Sequence, residues 1–246
     1  MAPRGLARAL GLDRRVAADE IMDTQPLPGP VVDRTLRFLE LTNRRFGGAG
    51  VVVRALERWR AGWPPGTALR LLDVGTGAAD IPRAVLGWAR TRGVALEIVA
   101  VDSAAGVAAA ASERARGVRG LSVECASLAE VAASGRRFDY VTASLVLHHV
   151  HPDEVGGALA SMDRLAKRGL IVSDLKRSPV ALAGVGILAS VAGNHVVRHD
   201  GPLSVRRAFT VVELRDLAAR CGLGYLEARS EGPFRVSLSG EKRVDR

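Results

Sequence analysis

The chain has 246 residues, a formal net charge of +9, 48% hydrophobic residues and only 4% aromatic ones. That content excludes a disordered chain and suffices for one domain with an elaboration, its core built from Ala, Val and Leu. The positive charge is nearly all arginine, since lysine occurs only at Lys167, Lys176 and Lys242, and the arginines are scattered. It is therefore read as composition, not as a nucleic-acid face.

Cys125 and Cys221 lie far apart and in no metal spacing, which argues against a disulfide framework and against a zinc site. No apolar run reaches the roughly 18 residues of a membrane span, and the first dozen residues lack a signal-peptide core. The expectation is a cytoplasmic protein with no resident metal.

In chain order, residues 1–29 read as a helical leader ending at Gln25-Pro26-Leu27-Pro28-Gly29-Pro30, whose prolines stop a helix. Leu36, Leu39 and Phe46 then fall near helical spacing, and Gly47-Gly48 closes that helix. Val51 to Trp59 is a second amphipathic helix, before a turn at Trp63-Pro64-Pro65-Gly66. Residues 1–66 are thus an N-terminal helical extension.

From Leu69 short apolar runs alternate with helical stretches. The expected strands are Leu69–Val74, Glu97–Val101, Leu121–Cys125, Phe138–Ala143 and Gly169–Ser173. The helices between them are Ile81–Arg92, Ala104–Arg116 and Pro152–Lys167. This alternation predicts a doubly wound, mostly parallel α/β sheet. A helix at Thr210–Cys221 and an antiparallel pair, Tyr225–Ser230 and Phe234–Leu238, bring the sheet to seven strands. The domain is expected over 67–240. The polar end is expected to fray from Ser239, with 241–246 a tail.

Strand, glycine turn and helix follow directly in Leu71-Leu72-Asp73-Val74-Gly75-Thr76-Gly77-Ala78-Ala79-Asp80. Such a loop lets backbone approach a ligand and offers helix N-terminal amides to an anion. A dinucleotide fingerprint needs Gly or Ala at position 80; Asp80 opposes it and makes a nicotinamide oxidoreductase a distant reading. Asp73 ahead of the loop repels a pyrophosphate and suits an ammonium or a sulfonium. Asp102 closes the second strand, where a carboxylate can accept ribose hydroxyls.

The run Leu71 to Asp80, with Ile98-Val99-Ala100-Val101-Asp102, resembles motifs I and II of the class I S-adenosylmethionine (SAM)-dependent methyltransferases. Phe138 to His149 is similar to that family's fourth-strand motif, in the version of the ubiquinone/menaquinone-biosynthesis type. The resemblance covers roughly Leu69 to Leu238 and implies a Rossmann-like fold with SAM as cofactor. It implies that Gly75 and Gly77 approach the methionine moiety, that Asp73 faces its amino group or an ordered water, and that Asp102 binds the ribose. Ser103 and Ser144 join this set. The family often places Gly-Asp after the third strand to hold adenine, but here the stretch is Cys125-Ala126-Ser127-Leu128. Ser127 and the Leu128 amide are the substitutes. Asn43 to Gly48, Asp174 to Ser178 and Arg198 to Phe209 resemble a bacterial subgroup associated with secondary metabolism, including polyketide pathways.

The acceptor end is less explicit. His148 and His149 follow the fourth strand, at the carboxyl edge where ligands bind; His149 is the first candidate base and His148 a substrate contact. His199, beside Asp200, is the second candidate base. Asn194, His195 and Asp174 could line the same pocket, and Arg45 or Arg44 could reach the cofactor carboxylate. Val180 to Gly193 is apolar nearly all round. It reads as a buried helix, or as a lid within a 179–207 insertion after strand five, lining an apolar site alone or with a second subunit of a homodimer.

The expected function is methyl transfer to oxygen or carbon of a small aromatic, polyketide-like or quinone-like acceptor. An RNA methyltransferase is the alternative raised by the charge, opposed by the absence of an Asn/Asp-Pro-Pro-aromatic stretch after strand four and of a stacking platform. A non-catalytic SAM-fold binding protein is the third, opposed by the intact Asp73, Gly75, Gly77 and Asp102 set.

Overall fold

The computed structural model describes residues 4–24 and 26–242. Its elements, in order, are α1 (Arg4–Ala9), α2 (Ile21–Thr24), α3 (Gly29–Arg45), α4 (Gly48–Arg60), β1 (Ala68–Val74), α5 (Asp80–Thr91), β2 (Ala95–Asp102), α6 (Ala105–Ala115) and β3 (Leu121–Cys125). There follow α7 (Leu128–Ala133), β4 (Phe138–Ser144), a short 3-10 turn at Leu147–His149, α8 (Val155–Leu165), β5 (Ala166–Leu175), α9 (Pro179–Val191), α10 (His195–Arg207), α11 (Val211–Arg220), β6 (Glu227–Glu231) and β7 (Arg235–Glu241).

The strands form one 7-stranded sheet in the order β3-β2-β1-β4-β5-β7-β6. β1 to β5 pair in parallel, and β7 runs antiparallel between β5 and β6. The expected Rossmann-like α/β sheet is present. Strand order reverses between β1 and β4, so the crevice beyond their carboxyl ends is the topological switch point. Successive residues of a strand face opposite sides. Leu71, Ile98, Tyr140 and Ile171 accordingly pack under Val52 and Leu56 of α4 and Val85 of α5. Leu72, Val141, Leu170 and Val172 pack under Leu159 of α8 and Leu214 of α11.

Two expectations are corrected. Among the described residues of the leader, helix is confined to α1, α2 and the first residue of α3, and residues 13–20 run as an irregular strap. Side chains from the far end of the sequence tie this strap down. Arg15 Nε donates to Arg207 O at 2.7 Å, and the amides of Ile21 and Met22 donate to the two Asp200 carboxylate oxygens at 2.9 and 3.2 Å. Met1 to Pro3 and Gln25 lie outside the described residues.

The proline cluster follows the end of α2 at Thr24, as expected, and also opens the next helix. Pro28 caps α3 and Pro30 sits in its first turn, where a fixed φ and a missing N–H cost nothing. Second, the chain does not fray at Ser239. β7 runs to Glu241, because Ser239 and Glu241 pair with Ile171 and Gly169 of β5. Lys242 Nζ then donates to the Asp163 and Ala166 carbonyls, both at 2.8 Å. Residues 243–246 of the expected tail lie outside the described residues.

Candidate active site

β1 delivers Asp73 to the switch point and the chain then turns on two left-handed glycines, Gly75 at φ +64 and Gly77 at φ +55. A Cβ on Gly75 would stand 2.5 Å from Val146 Cγ2, whereas one on Gly77 would meet only Leu36 Cδ2 at 3.9 Å. Gly75 thus lets the loop close against the segment after β4, and Gly77 leaves open space above the backbone. The Gly77 amide donates to Asp102 Oδ2 at 3.1 Å, and the Ala104 amide to Asp102 Oδ1 at 3.1 Å. The carboxylate at the end of β2 so fixes the loop and keeps free lone pairs toward the cavity. Burial pushes the Asp102 carboxyl up, against these two amides.

Asp73 is 2% exposed and accepts from Thr142 Oγ1 of β4 at 2.8 Å. Burial pushes it up to about 7, so a cationic group brought beside it would favour its charged form. Asp80 lies in the first turn of α5, where a negative charge suits the helix dipole. Burial pushes it up as well, although Asn43 Nδ2 donates to it at 3.0 Å. Asn43 Oδ1 in turn accepts from the buried Arg235 at 2.5 Å.

These groups line a cavity of about 650 Å³, within the roughly 300–1,000 Å³ of small-molecule sites. Ser144 Oγ is buried in its wall without a hydrogen-bond partner among the described residues. The groups along this wall, the Asp73 and Asp102 carboxyls and the glycine turn, fit an adenosine-and-amino-acid ligand such as SAM.

The other end of the cavity comes from three distant segments: the strap, the turn after β4, and α10. His148 is 3% exposed; its Nδ1 lies 2.5 Å from Asp174 Oδ1, and its amide donates to Asp174 Oδ2 at 3.0 Å. His149 Nδ1 lies 2.9 Å from both carboxylate oxygens of Asp23. Glu20, 3% exposed, accepts from Ser204 Oγ of α10 at 2.9 Å. Burial pushes Glu20 up to about 7. Arg207 donates to the His148 and His149 carbonyls, each at 2.8 Å, and to Asp23 Oδ2 at 3.1 Å.

Of the residues singled out in the sequence, Asp73, Gly75, Gly77, Asp102, Ser103, Ser144, His148 and His149 line this cavity. The others stand elsewhere, each for a local reason. Ser127 caps α7: its hydroxyl donates to Glu130 Oε2 at 2.7 Å and accepts from the Glu130 amide at 3.2 Å. Neither Ser127 nor Leu128 lines the cavity. Arg45 is exposed, because the face of α3 that carries Leu36 points Asn43, seven residues on, into the site instead.

α10 sets Val197, Gly201 and Ser204 on the cavity, which leaves His195 and His199, one turn apart, on its outer face. The His199 side chain is 55% exposed and bonds Asp200 at 2.8 Å. Asn194 caps α10 and donates to Thr35 Oγ1 at 2.7 Å, one layer behind the wall. Asp174, fully buried, acts on His148 from behind.

Glu20, Asp23, Asn43 and Arg207 have no role in the sequence reading, and Asp200 enters it only as the neighbour of His199. Only Asn43 carried a signal, its helical phase with Leu36.

Residues 71–169 match a family model described as a methyltransferase domain. No curated protein matches the chain. Among solved structures, the plantazolicin methyltransferase BpumL bound to SAH has a TM-score of 0.66 at 10% identity, over 98% of this chain and 96% of that one. The magnesium protoporphyrin IX methyltransferase (ChlM) from Synechocystis PCC 6803, also with SAH, has 0.58 at 16% identity, over 86% and 94%. The citrinin polyketide synthase CMeT domain has 0.55 at 15% identity, over 75% of this chain and 49% of that one. Over residues 71–169 the chain is thus similar to methyltransferase domains, and it shares its fold with methyltransferases solved with SAH.

Proposed function

We propose that this protein is a SAM-dependent methyltransferase that methylates oxygen or carbon of a small, largely apolar aromatic, polyketide-like or quinone-like acceptor. The observation that carries the reading is the single cavity that joins the glycine turn to the His148–His149 turn. One end has the loop, Asp73 and Asp102; the other has imidazoles and carboxylates, with Met22, Leu36, Leu39 and Val197 as apolar walls. The plantazolicin methyltransferase BpumL shares the fold along nearly the whole chain, and so does the citrinin polyketide synthase CMeT domain over 75% of it. Both support a role in secondary metabolism. A cytoplasmic location belongs to the same reading, supported by free Cys125 and Cys221 and by the lack, among the described residues, of a helix long and apolar enough to cross a membrane.

When bound, SAM supplies a methyl group on a sulfonium, which is already a strong electrophile. Gly75 and Gly77 would approach its methionine moiety, Asp102 its ribose, and Asp73 its amino group. The remaining work of the chain is alignment and exclusion of water. The apolar wall orients a ring or acyl chain. An imidazole of the histidine–carboxylate end would accept a hydrogen bond from an acceptor hydroxyl or acidic carbon and take up its proton, so that the electron pair left behind bonds to the methyl carbon as the S–CH₃ bond breaks.

The test is incubation of purified protein with methyl-labelled SAM and a panel of phenols, polyketide-like enols and quinols, with products located by mass spectrometry and NMR. Label on one of these classes supports the reading. Label found only on RNA, or no SAM binding by calorimetry, would replace it by one of the two alternatives.

A further inference from the structure

The acceptor end gathers three carboxyl groups around two imidazoles. Glu20, Asp23 and Asp174 face the rings, and Arg207 faces Glu20 and Asp23. Glu20, His148 and Asp174 are buried, which leaves these donors few solvent partners.

The geometry points to a partner. Glu20 Oε1 lies 3.9 Å from His148 Nε2, and Glu20 Oε2 lies 3.9 Å from His149 Nδ1. One ligand atom from each of the three residues falls within 4.8 Å of the others. Ligand atoms about 2.0–2.2 Å from one ion stand roughly 3–4 Å from each other, so small rotamer shifts would close these three around a single centre. The supporting shell is also present. A buried carboxylate, Asp174, accepts from His148 Nδ1, so in the neutral ring Nε2 keeps its lone pair and faces Glu20. Metal-binding histidines are held in this way by a carboxylate on the other nitrogen.

We propose that Glu20, His148 and His149, with Asp23 as a fourth ligand, form a site for a divalent transition-metal ion. A mixed imidazole–carboxylate set suits Zn²⁺, Mn²⁺, Co²⁺ or Fe²⁺. The position facing the cavity stays open for an acceptor oxygen, whose hydroxyl would ionise at lower pH there. This rests on the methyl-transfer reading of the cavity, and it narrows the acceptor to a molecule with a hydroxyl or enol oxygen able to ligate.

The test is calorimetric titration of EDTA-stripped full-length protein with Zn²⁺ and Mn²⁺, and separately with SAM. One ion per chain is expected, with affinity at least tenfold lower in Glu20→Gln and in His149→Ala and unchanged in His199→Ala. Should the first two variants fail to fold, Co²⁺-loaded wild-type protein provides the second measurement: ligand-field absorption and paramagnetically shifted ring N–H signals from two histidines are expected. Absence of binding, affinity that does not change in Glu20→Gln and His149→Ala, or a Co²⁺ spectrum without histidine signals overturns the site. SAM binding without metal binding would sink the cation alone, and failure of both would sink the methyltransferase reading with it.

Discussion

Asp174 accepts from His148 twice, at Nδ1 and at the backbone amide, over 2.5 and 3.0 Å. Burial opposes its charge, but His148 and the Leu175 amide together hold its carboxyl below the usual range. It is therefore an ionised acceptor that sets both the ring orientation and the tautomer of His148. Asp174→Asn should lower kcat about 10–100-fold, the usual cost of losing a carboxylate behind a functional histidine. SAM affinity, measured by calorimetry, should change far less, because Asp174 does not line the cavity. Asp174→Glu should recover part of the rate and restore the pH profile. An Asn variant with full activity would show that His148 needs no orientation.

Asp73 makes stability depend on pH in a defined sense. Its folded-state value is about 7, against about 3.9 in an unfolded chain. Below pH 4 both states are protonated and nothing is lost. Between about 4 and 7 the unfolded chain ionises while the folded one does not, so the native state loses stability; above that range the penalty is constant. Asp73→Asn cannot ionise. In urea denaturation its stability relative to wild type should rise between pH 4 and 7 and then level off. A difference independent of pH would mean that Asp73 is ionised throughout.

Gly75→Ala meets two obstacles, the left-handed φ of +64 and Val146 Cγ2 at 2.5 Å. A loss of about 1–3 kcal/mol is expected, read as a lower melting temperature. Adding Val146→Ala should return only the part due to the clash, since the backbone strain remains.

Asn43 and Arg45 should behave oppositely. Asn43→Ala leaves Asp80 and Arg235 without their shared partner and should cost about 1–3 kcal/mol. Arg45→Ala touches an exposed side chain and should stay within about 0.5 kcal/mol, with SAM affinity unchanged. Weaker SAM binding in Arg45→Ala would move the carboxylate contact back to the end of α3.

The glycine-turn end of the cavity is legible in the sequence because local rules decide it. A strand, two glycines that need positive φ, a helix start and an acid at the next strand end lie within Leu69–Asp102, and one βαβ unit brings them together. The acceptor half is set by contacts across most of the chain. Nothing in Ala17-Ala18-Asp19-Glu20-Ile21-Met22-Asp23 shows that its amides will find Asp200. His199 looked functional because Asp200 follows it, yet the phase of α10 turns the imidazole outward and the carboxylate inward. Ser127 stood where an adenine acceptor was wanted, but a glutamate three residues later claims it for a cap.

The strap has a consequence for how a catalytic cycle must proceed. Glu20 ends the strap and Asp23 lies in α2 directly after it, while His148 and His149 sit in the turn after β4. Lifting the strap at its Asp200 tether would open the cavity and in the same movement take apart the acceptor end. In the proposed methyl transfer, product exit would then be coupled to loss of that arrangement.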